Sequence, residues 1–378
     1  MKHALVSLFL LLALGACKIH PNFEASLPPG SPALIPLEAG EKFPDFSREW
    51  EDREDIAPAL ENSLSWIRRD HARAFYPQAG ITHARAVESL ERFALLLRTS
   101  YGPEDFQRAL EREFDVFKSA GWDGRGGGVL FTAYCTPILK GSLEPDTAYR
   151  FPLYSLPPDL VKGRDGSTIG WETSFGRQAS YPTRGAIEAS GMLRGLELVW
   201  LADPIDAYIA HVNGSAFVEL PDGSQLRLGY AGKNGRPYRS LARELAGDGK
   251  IQETGLPAIR AWASQASDEE LHEYLSRNTS FVFFTPIEGK PHGSLDVEVT
   301  AGRSLATDKT LFPRAALVFV EGPAGHPALN RFLLDQDTGG AIRTAGRADI
   351  YLGVGPRAEQ IAGRTKVEGQ LYYLFLKE

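Results

Sequence analysis

A mostly β fold preceded by helices is predicted by three observations. Gly 38 and Pro 25, set against 43% hydrophobic residues, describe a turn-rich chain with enough apolar side chains for a core. Between residues 86 and 117 the apolar side chains recur at helical spacing. From Val129 onward the pattern changes to short β-like runs separated by turn signals. At 378 residues the chain suits two domains better than one.

In chain order, Lys2 and His3 precede an apolar run, Ala4 to Leu14, too short to span a bilayer. The run ends Leu14-Gly15-Ala16-Cys17, small residues before a cysteine as in a bacterial lipoprotein signal. Residues 1–17 are therefore read as a signal that leaves Cys17 as the lipidated first residue, with an ordinary secretory signal as the plainer alternative. Residues 18–44 are proline-rich and aperiodic, which suits a tether. Ala86, Val87, Leu90, Phe93, Ala94 and Leu97 form one helical stripe. Gly102-Pro103-Glu104-Asp105 starts another helix, with proline in the first turn and acids at the positive end of the dipole. Phe106, Leu110, Phe114 and Phe117 then fall on its face, as core residues. Gly124 to Gly128 reads as a flexible turn.

Val129-Leu-Phe-Thr-Ala-Tyr134 reads as a strand. Ala216–Leu220 and Gln225–Tyr230 flank Asp222-Gly223, a strong hairpin signal. Ser267-Asp-Glu-Glu270 is a capping box opening a helix. A second β-rich stretch runs from Ser280 to the end, and no fixed-period repeat is present.

The net charge of −7 offers no basic excess to neutralise phosphates, which argues against nucleic-acid binding. His-Glu-x-x-His and Gly-x-Ser-x-Gly are absent, and the eight histidines lack ligand spacing, so neither metal nor cofactor is expected. With Cys17 lipidated, Cys135 has no disulfide partner. The single Asp337-Thr-Gly triplet does not make an aspartic protease, whose chemistry needs two carboxylates sharing a proton. Asp337 also suits a turn, bonding its own backbone before Gly339-Gly340. Three aspartates remain of interest near the C-terminus: Asp308, Asp337 and Asp349. Aspartate is depleted in strands, and one held there beside other acids can keep a proton near neutral pH. Thr132, Tyr134 and Thr136 share one face of their strand, a wall suited to a sugar; ordinary threonines on an edge strand are the plainer reading.

The chain resembles the membrane-bound lytic murein transglycosylase A family along most of its length. The resemblance is carried by Phe131-Thr-Ala-Tyr-Cys-Thr-Pro137, Tyr154-Ser-Leu-Pro-Pro158 and Asp206-Ala-Tyr-Ile-Ala-His-Val-Asn-Gly-Ser215. It continues in Tyr230-Ala-Gly-Lys-Asn-Gly-Arg-Pro-Tyr-Arg-Ser240, Asn278-Thr-Ser-Phe-Val-Phe-Phe284, Gly302-Arg-Ser-Leu-Ala-Thr-Asp308 and Asp337-Thr-Gly-Gly-Ala-Ile342, within a C-terminal three-aspartate domain. It implies a double-psi β-barrel catalytic domain built from residues 45–136 and 285–378. A β-rich substrate-binding domain, 137–284, is inserted between the halves, with the glycan in the groove between them. The catalytic aspartates carry over to Asp349, as the acid, and to Asp337 and Asp308. Substrate contacts carry over to Thr132, with Tyr134, Thr136, Lys233, Asn234, Tyr238, Arg239 and Tyr351 as further candidates; Arg236 belongs to the same basic cluster. The sequence departs from the family at Ala133 and Cys135, where glycine and tyrosine are usual, which would weaken sugar stacking if Cys135 lines the groove.

What the resemblance implies is a non-hydrolytic, exotransglycosylase-type lyase. It would cleave the MurNAc–GlcNAc bond and leave 1,6-anhydro ends, lipid-anchored at the periplasmic face of a Gram-negative outer membrane. The implied partners are peptidoglycan strands, the lipid on Cys17, and peptidoglycan synthases or scaffold proteins; a monomer is the default. Two other classes stay open: a peptidoglycan-binding lipoprotein without activity, and a hydrolase with a second carboxylate about 5–9.5 Å from the first. Asp349 must begin protonated, against an ordinary aspartate value of ~3.9, through burial or through the charge of Asp308 or Asp337. A cation on Asp337, Arg343 or Arg347, would oppose that.

Overall fold

A computed structural model describes residues 21–38, 40–163, 167–178 and 180–378, so Cys17 and its signal lie outside the described residues. Six strands close a barrel: β1 (Val129–Thr136), β2 (Ser304–Ala306), β3 (Leu317–Glu321), β4 (Arg331–Asp337), β5 (Arg347–Val354) and β6 (Lys366–Leu376). The order round the barrel is β1-β5-β2-β4-β3-β6, and β6 pairs back on β1. β1 with β5 and β2 with β4 run parallel; the other neighbours are antiparallel. Closure removes the unpaired edge that β1 would otherwise present, so Thr132 and Thr136 do not sit on an edge strand. β6 is long enough to serve twice. Lys366–Gly369 pair with β1, and on the same side Tyr372–Leu376 pair with the strand Phe114–Ser119, while Gln370–Tyr373 hold β3 on the other side. A Cβ on Gly369, between these halves, would sit 2.1 Å from the Glu321 carbonyl oxygen and 3.1 Å from the Phe131 ring. Glycine is what that close approach requires.

Three helices cover one side: α1 (Arg53–Ile67), α2 (His83–Thr99) and α3 (Pro103–Glu113). The stripe on α2 is core: Ala86, Leu90, Phe93, Ala94 and Leu97 are buried. The Phe93 ring meets Phe332 of β4 with centroids 4.9 Å apart, and Phe46 contacts both Phe319 and Phe332. Each such ring contributes about 1.5–3 kcal/mol by leaving water, which fixes the helical layer to the barrel. A buried ion pair between Glu49 and Arg303 adds a polar tie at the same interface.

Three expectations need correction. The helix starting at Pro103 ends at Glu113, so Phe114 and Phe117 lie on a strand; pairing with β6 overrides the helical spacing. The glycines 124–128 form an ordered turn, because Asp123 Oδ1 accepts the N–H groups of Arg125 and Gly127, both at 2.8 Å. Within the proline-rich stretch, Leu34–Pro36 is a strand on Phe117–Ser119, so this part of the expected tether is docked on the barrel.

One residue beyond β1, Ile138–Ser142 opens a second sheet. Its strand order is Val282–Pro286, Gln225–Lys233, Ala216–Glu219, Ile138–Ser142, Glu197–Leu201 and Phe151–Tyr154. The hairpin over Asp222-Gly223 pairs Ala216–Glu219 with Gln225–Leu228. A three-stranded sheet (160–162, 168–173, 176–178) and the helices Arg184–Ser190, Pro204–Asn213, Leu241–Gly247, Leu256–Ala263 and Asp268–Arg277 complete this part, around separate apolar clusters. Ser267 caps the last helix by accepting the Glu270 N–H, while Glu270 turns its carboxylate to Lys250 and makes only half of a capping box.

Candidate active site

β5 places Asp349 directly across from Thr132 of β1 and Ala306 of β2. The Thr132 hydroxyl donates to Asp349 Oδ1 at 2.9 Å, and Arg347 Nη2 donates to the same Thr132 oxygen at 3.3 Å. Asp337 ends β4. Its Oδ2 accepts the Tyr134 hydroxyl at 2.6 Å, and its Oδ1 accepts the N–H groups of Ser294 and Thr338, both at 2.8 Å. The Tyr134 and Tyr351 rings pack with centroids 5.2 Å apart. Thr136 bonds Ser215 at 3.0 Å and the Tyr351 hydroxyl at 3.3 Å, joining barrel and inserted sheet. The alternation of β1 thus turns Thr132, Tyr134 and Thr136 toward one polar cluster.

Burial pushes the Asp349 carboxyl up to about 6, and the charge of Asp337 adds to that rise. The Thr132 hydroxyl and the Arg347 guanidinium pull the other way. Burial likewise raises Asp337, against its hydrogen bonds from Tyr134, Thr338 and Ser294 and the charge of Lys309. Arg347 therefore faces Asp349, while the cation serving Asp337 is Lys309. A carboxyl titrating near 6 holds a proton long enough to donate it, yet ionises readily enough to take one back. Removing the Thr132 hydroxyl with Thr132→Val is expected to raise the Asp349 titration by about half a unit to one unit. Isotope-edited carboxyl NMR reads this directly, and an unmoved titration would contradict the role given to Thr132.

The remaining sequence candidates divide. Asp308 does not join the pair: its carboxylate accepts the Thr310 N–H at 3.0 Å and the Thr310 hydroxyl at 2.7 Å, closing a local turn. Asn234 is buried, and its amide is fully engaged. Nδ2 donates to the carbonyls of Pro182 and Thr279, and Oδ1 accepts from Arg236 and Phe281. It holds a loop together and has no free polar atom for a ligand. Arg236 turns Nε to the Tyr181 carbonyl. Arg239 is exposed and is tied by its backbone to Asn278 and Tyr208. Lys233 and Tyr238 do reach the barrel. Lys233 is half-buried, its ammonium held below the ordinary range by burial and by Arg343. Tyr238 packs over Gly340, in the loop after Asp337. Tyr351 is buried against Tyr134.

Cys135 is buried on the opposite face of β1, its thiol pushed up to about 12 by burial and then by Glu359 and Asp349. It borders a cleft of about 260 Å³ between β1, the helix Pro204–Asn213 and the helix Pro356–Ala362, which Tyr134, Tyr208 and Tyr238 also line.

Sequence reasoning missed Asp335. It is fully buried, pairs with Lys309, and accepts the hydroxyls of Thr307 at 2.7 Å and Tyr373 at 2.8 Å. Strand alternation was the available signal, since Asp335 lies two residues before Asp337 on β4.

Residues 130–285 match the MltA specific insert domain, and residues 303–375 match the 3D domain. The membrane-bound lytic murein transglycosylase A of Vibrio cholerae is 32% identical over 270 residues, 68% of this chain and 68% of the relative. That of Escherichia coli is 30% identical over 272 residues, 69% of each. Among solved structures, a membrane-bound lytic murein transglycosylase from Agrobacterium tumefaciens superposes with a TM-score of 0.74 at 28% identity, covering 91% of this chain and 98% of that one.

Proposed function

The chain belongs to the membrane-bound lytic murein transglycosylase A family, and from that premise we propose that it cleaves peptidoglycan glycan strands with Asp349 as the sole acid and base. It is a peptidoglycan-cleaving enzyme of the lyase type. The observation that carries the finer reading is the placement of Asp349: half-buried on a barrel strand, bonded to Thr132, within reach of the charge of Asp337, and pushed up to about 6.

In the proposed reaction the Asp349 carboxyl gives its proton to the glycosidic oxygen as the bond from C1 of N-acetylmuramic acid breaks. The 6-hydroxyl of the same sugar closes on C1. Its proton goes to the Asp349 carboxylate, which resets the acid. One C–O bond breaks, another forms, and no water is consumed. Because the nucleophile is tethered to its target, its effective concentration is already high and no second carboxylate is needed. Thr132 and Arg347 stabilise the transient carboxylate, while burial and Asp337 return the proton. Asp337 is poorly suited to activating water, since it is committed to Tyr134 and two backbone N–H groups. This favours the lyase over a two-carboxylate hydrolase. Lys233, Tyr238 and Arg239 are proposed to meet the glycan or its stem peptides from the inserted sheet. No described helix is long and apolar enough to cross a membrane, and the membrane association in the relatives' names is proposed to come here from lipid on Cys17.

The reading predicts a falling alkaline limb in kcat/KM. The acid form of Asp349 is present below about 6 and is lost as pH rises through that value. Digestion of purified sacculi should slow about tenfold for each pH unit above the limb. A rate that is flat or rising from pH 5 to 8 would exclude Asp349 as the proton donor.

A further inference from the structure

We infer that Glu24, in the segment leading into the barrel, is a positioning residue that ties the inserted domain to the barrel and shields the catalytic acid from Arg347. This rests on the role proposed for Asp349. Three bonds place the segment. The Phe23 carbonyl accepts the Thr344 hydroxyl at 2.6 Å, and Asn22 Oδ1 accepts the Glu24 N–H at 3.2 Å. The Glu24 carboxylate pairs with both outer nitrogens of Arg243, on the helix Leu241–Gly247 of the inserted domain. It also lies 3.7 Å from Nη1 of Arg347 on β5. One carboxylate thus bridges two arginines from two parts of the fold, and one of them reaches Asp349 through Thr132. Close packing holds the segment in place: a Cβ on Gly346 would lie 3.1 Å from the Phe23 carbonyl oxygen.

The arginines differ in exposure, and this sets what Glu24 does. The Arg243 side chain is 58% exposed, so its pair adds little to stability. The Arg347 side chain is 12% exposed and its Nε has no partner among the described residues, so its charge is weakly screened and a counter-ion matters more. Asp349 is faced by Thr132 and Tyr134 from β1, Arg347 from β5, Asp337 from β4 and apolar Ala306 from β2, with Cys135 behind β1. Lys309, Tyr238 and Tyr351 stand one step further out, beside Asp337 and Arg347. Arg347 is the cation in this set that acts directly on Asp349, and Glu24 is its ion-pair partner among the described residues. Without Glu24 the two arginines would repel across the domain boundary, and the full charge of Arg347 would favour ionised Asp349.

The test uses the full chain and the near-isosteric Glu24→Gln, with Arg243→Gln as a second variant. Glu24→Gln should lower the Asp349 titration, read by carboxyl NMR, by roughly half a unit. The alkaline limb of sacculus digestion should move with it, leaving about a third of wild-type activity on that limb. Arg243→Gln should raise KM several-fold and leave the Asp349 titration in place, because Glu24 still serves Arg347. An unmoved Asp349 titration in Glu24→Gln overturns the shielding role. A lower KM in Glu24→Gln overturns the tie, and would mean that Glu24 competes with a substrate carboxylate for the arginines. If the titration moves but Asp349→Asn keeps wild-type activity, the catalytic reading fails and the electrostatic role of Glu24 survives.

Discussion

Asparagine at position 349 is expected to cut muropeptide release from sacculi by about 10²–10⁴-fold, and to stabilise the folded protein at neutral pH. The two effects share one cause. The folded state raises the Asp349 carboxyl from 3.8 to about 6, so its poorly solvated negative charge disfavours folding above that value. For a carboxyl raised by folding, the stabilising contribution is complete below the unfolded value and is lost as pH rises through the folded one. A displacement of this size corresponds to at most about 3 kcal/mol. Asparagine keeps the shape and an acceptor for Thr132 but carries no charge, so it should recover up to that amount at pH 8 and little at pH 4. Denaturant unfolding at both pH values reads the stability, and sacculus digestion reads the activity. A variant that is both inactive and less stable at pH 8 would mean that Asp349 is a structural residue.

Removing the partner of Asp335 should produce the largest stability loss. Lys309→Met deletes the ammonium that balances a fully buried carboxylate. Two hydroxyls, from Thr307 and Tyr373, would remain, and neither carries charge. Breaking a buried pair from one side costs about 3–5 kcal/mol, because the surviving charge is left uncompensated. Replacing both members with apolar residues, Lys309→Met with Asp335→Leu, should restore most of that loss. Lys309 also lowers Asp337, so either variant should let Asp337 rise and weaken its hold on Tyr134. Midpoints of denaturant unfolding decide the point; a loss below about 1 kcal/mol for Lys309→Met would show that water or another cation reaches Asp335.

The fold was legible where local chemistry and tertiary packing agree. The α2 stripe, the Pro103 helix start, the Asp222-Gly223 hairpin and the Ser267 cap are set by residues close in sequence, and each is where the spacing puts it. Phe114 and Phe117 continue a helical spacing but pair with β6, a strand more than 250 residues later in the chain, and no local pattern reports such a partner. The barrel's closure is of the same kind, and it entered through family resemblance. At the site, the alternation of β1 was enough to group Thr132, Tyr134 and Thr136. It could not show which aspartates converge: Asp308 matches Asp337 in residue type, yet its carboxylate closes a local turn with Thr310. Asn234 entered through the family motif, and its structural task stayed hidden because three of its four bonding partners, Pro182, Thr279 and Phe281, lie far away in sequence. Glu24 was hidden in a proline-rich stretch whose composition suggests only a tether.

The most direct test is mass spectrometry of muropeptides released from purified sacculi by the full chain in water enriched in heavy oxygen. The lyase predicts products one water lighter than those of hydrolysis, ending in anhydro rings and free of the heavy isotope. Reducing ends carrying heavy oxygen at C1 would make the protein a hydrolase. Bound but uncut sacculi would make it a binding protein.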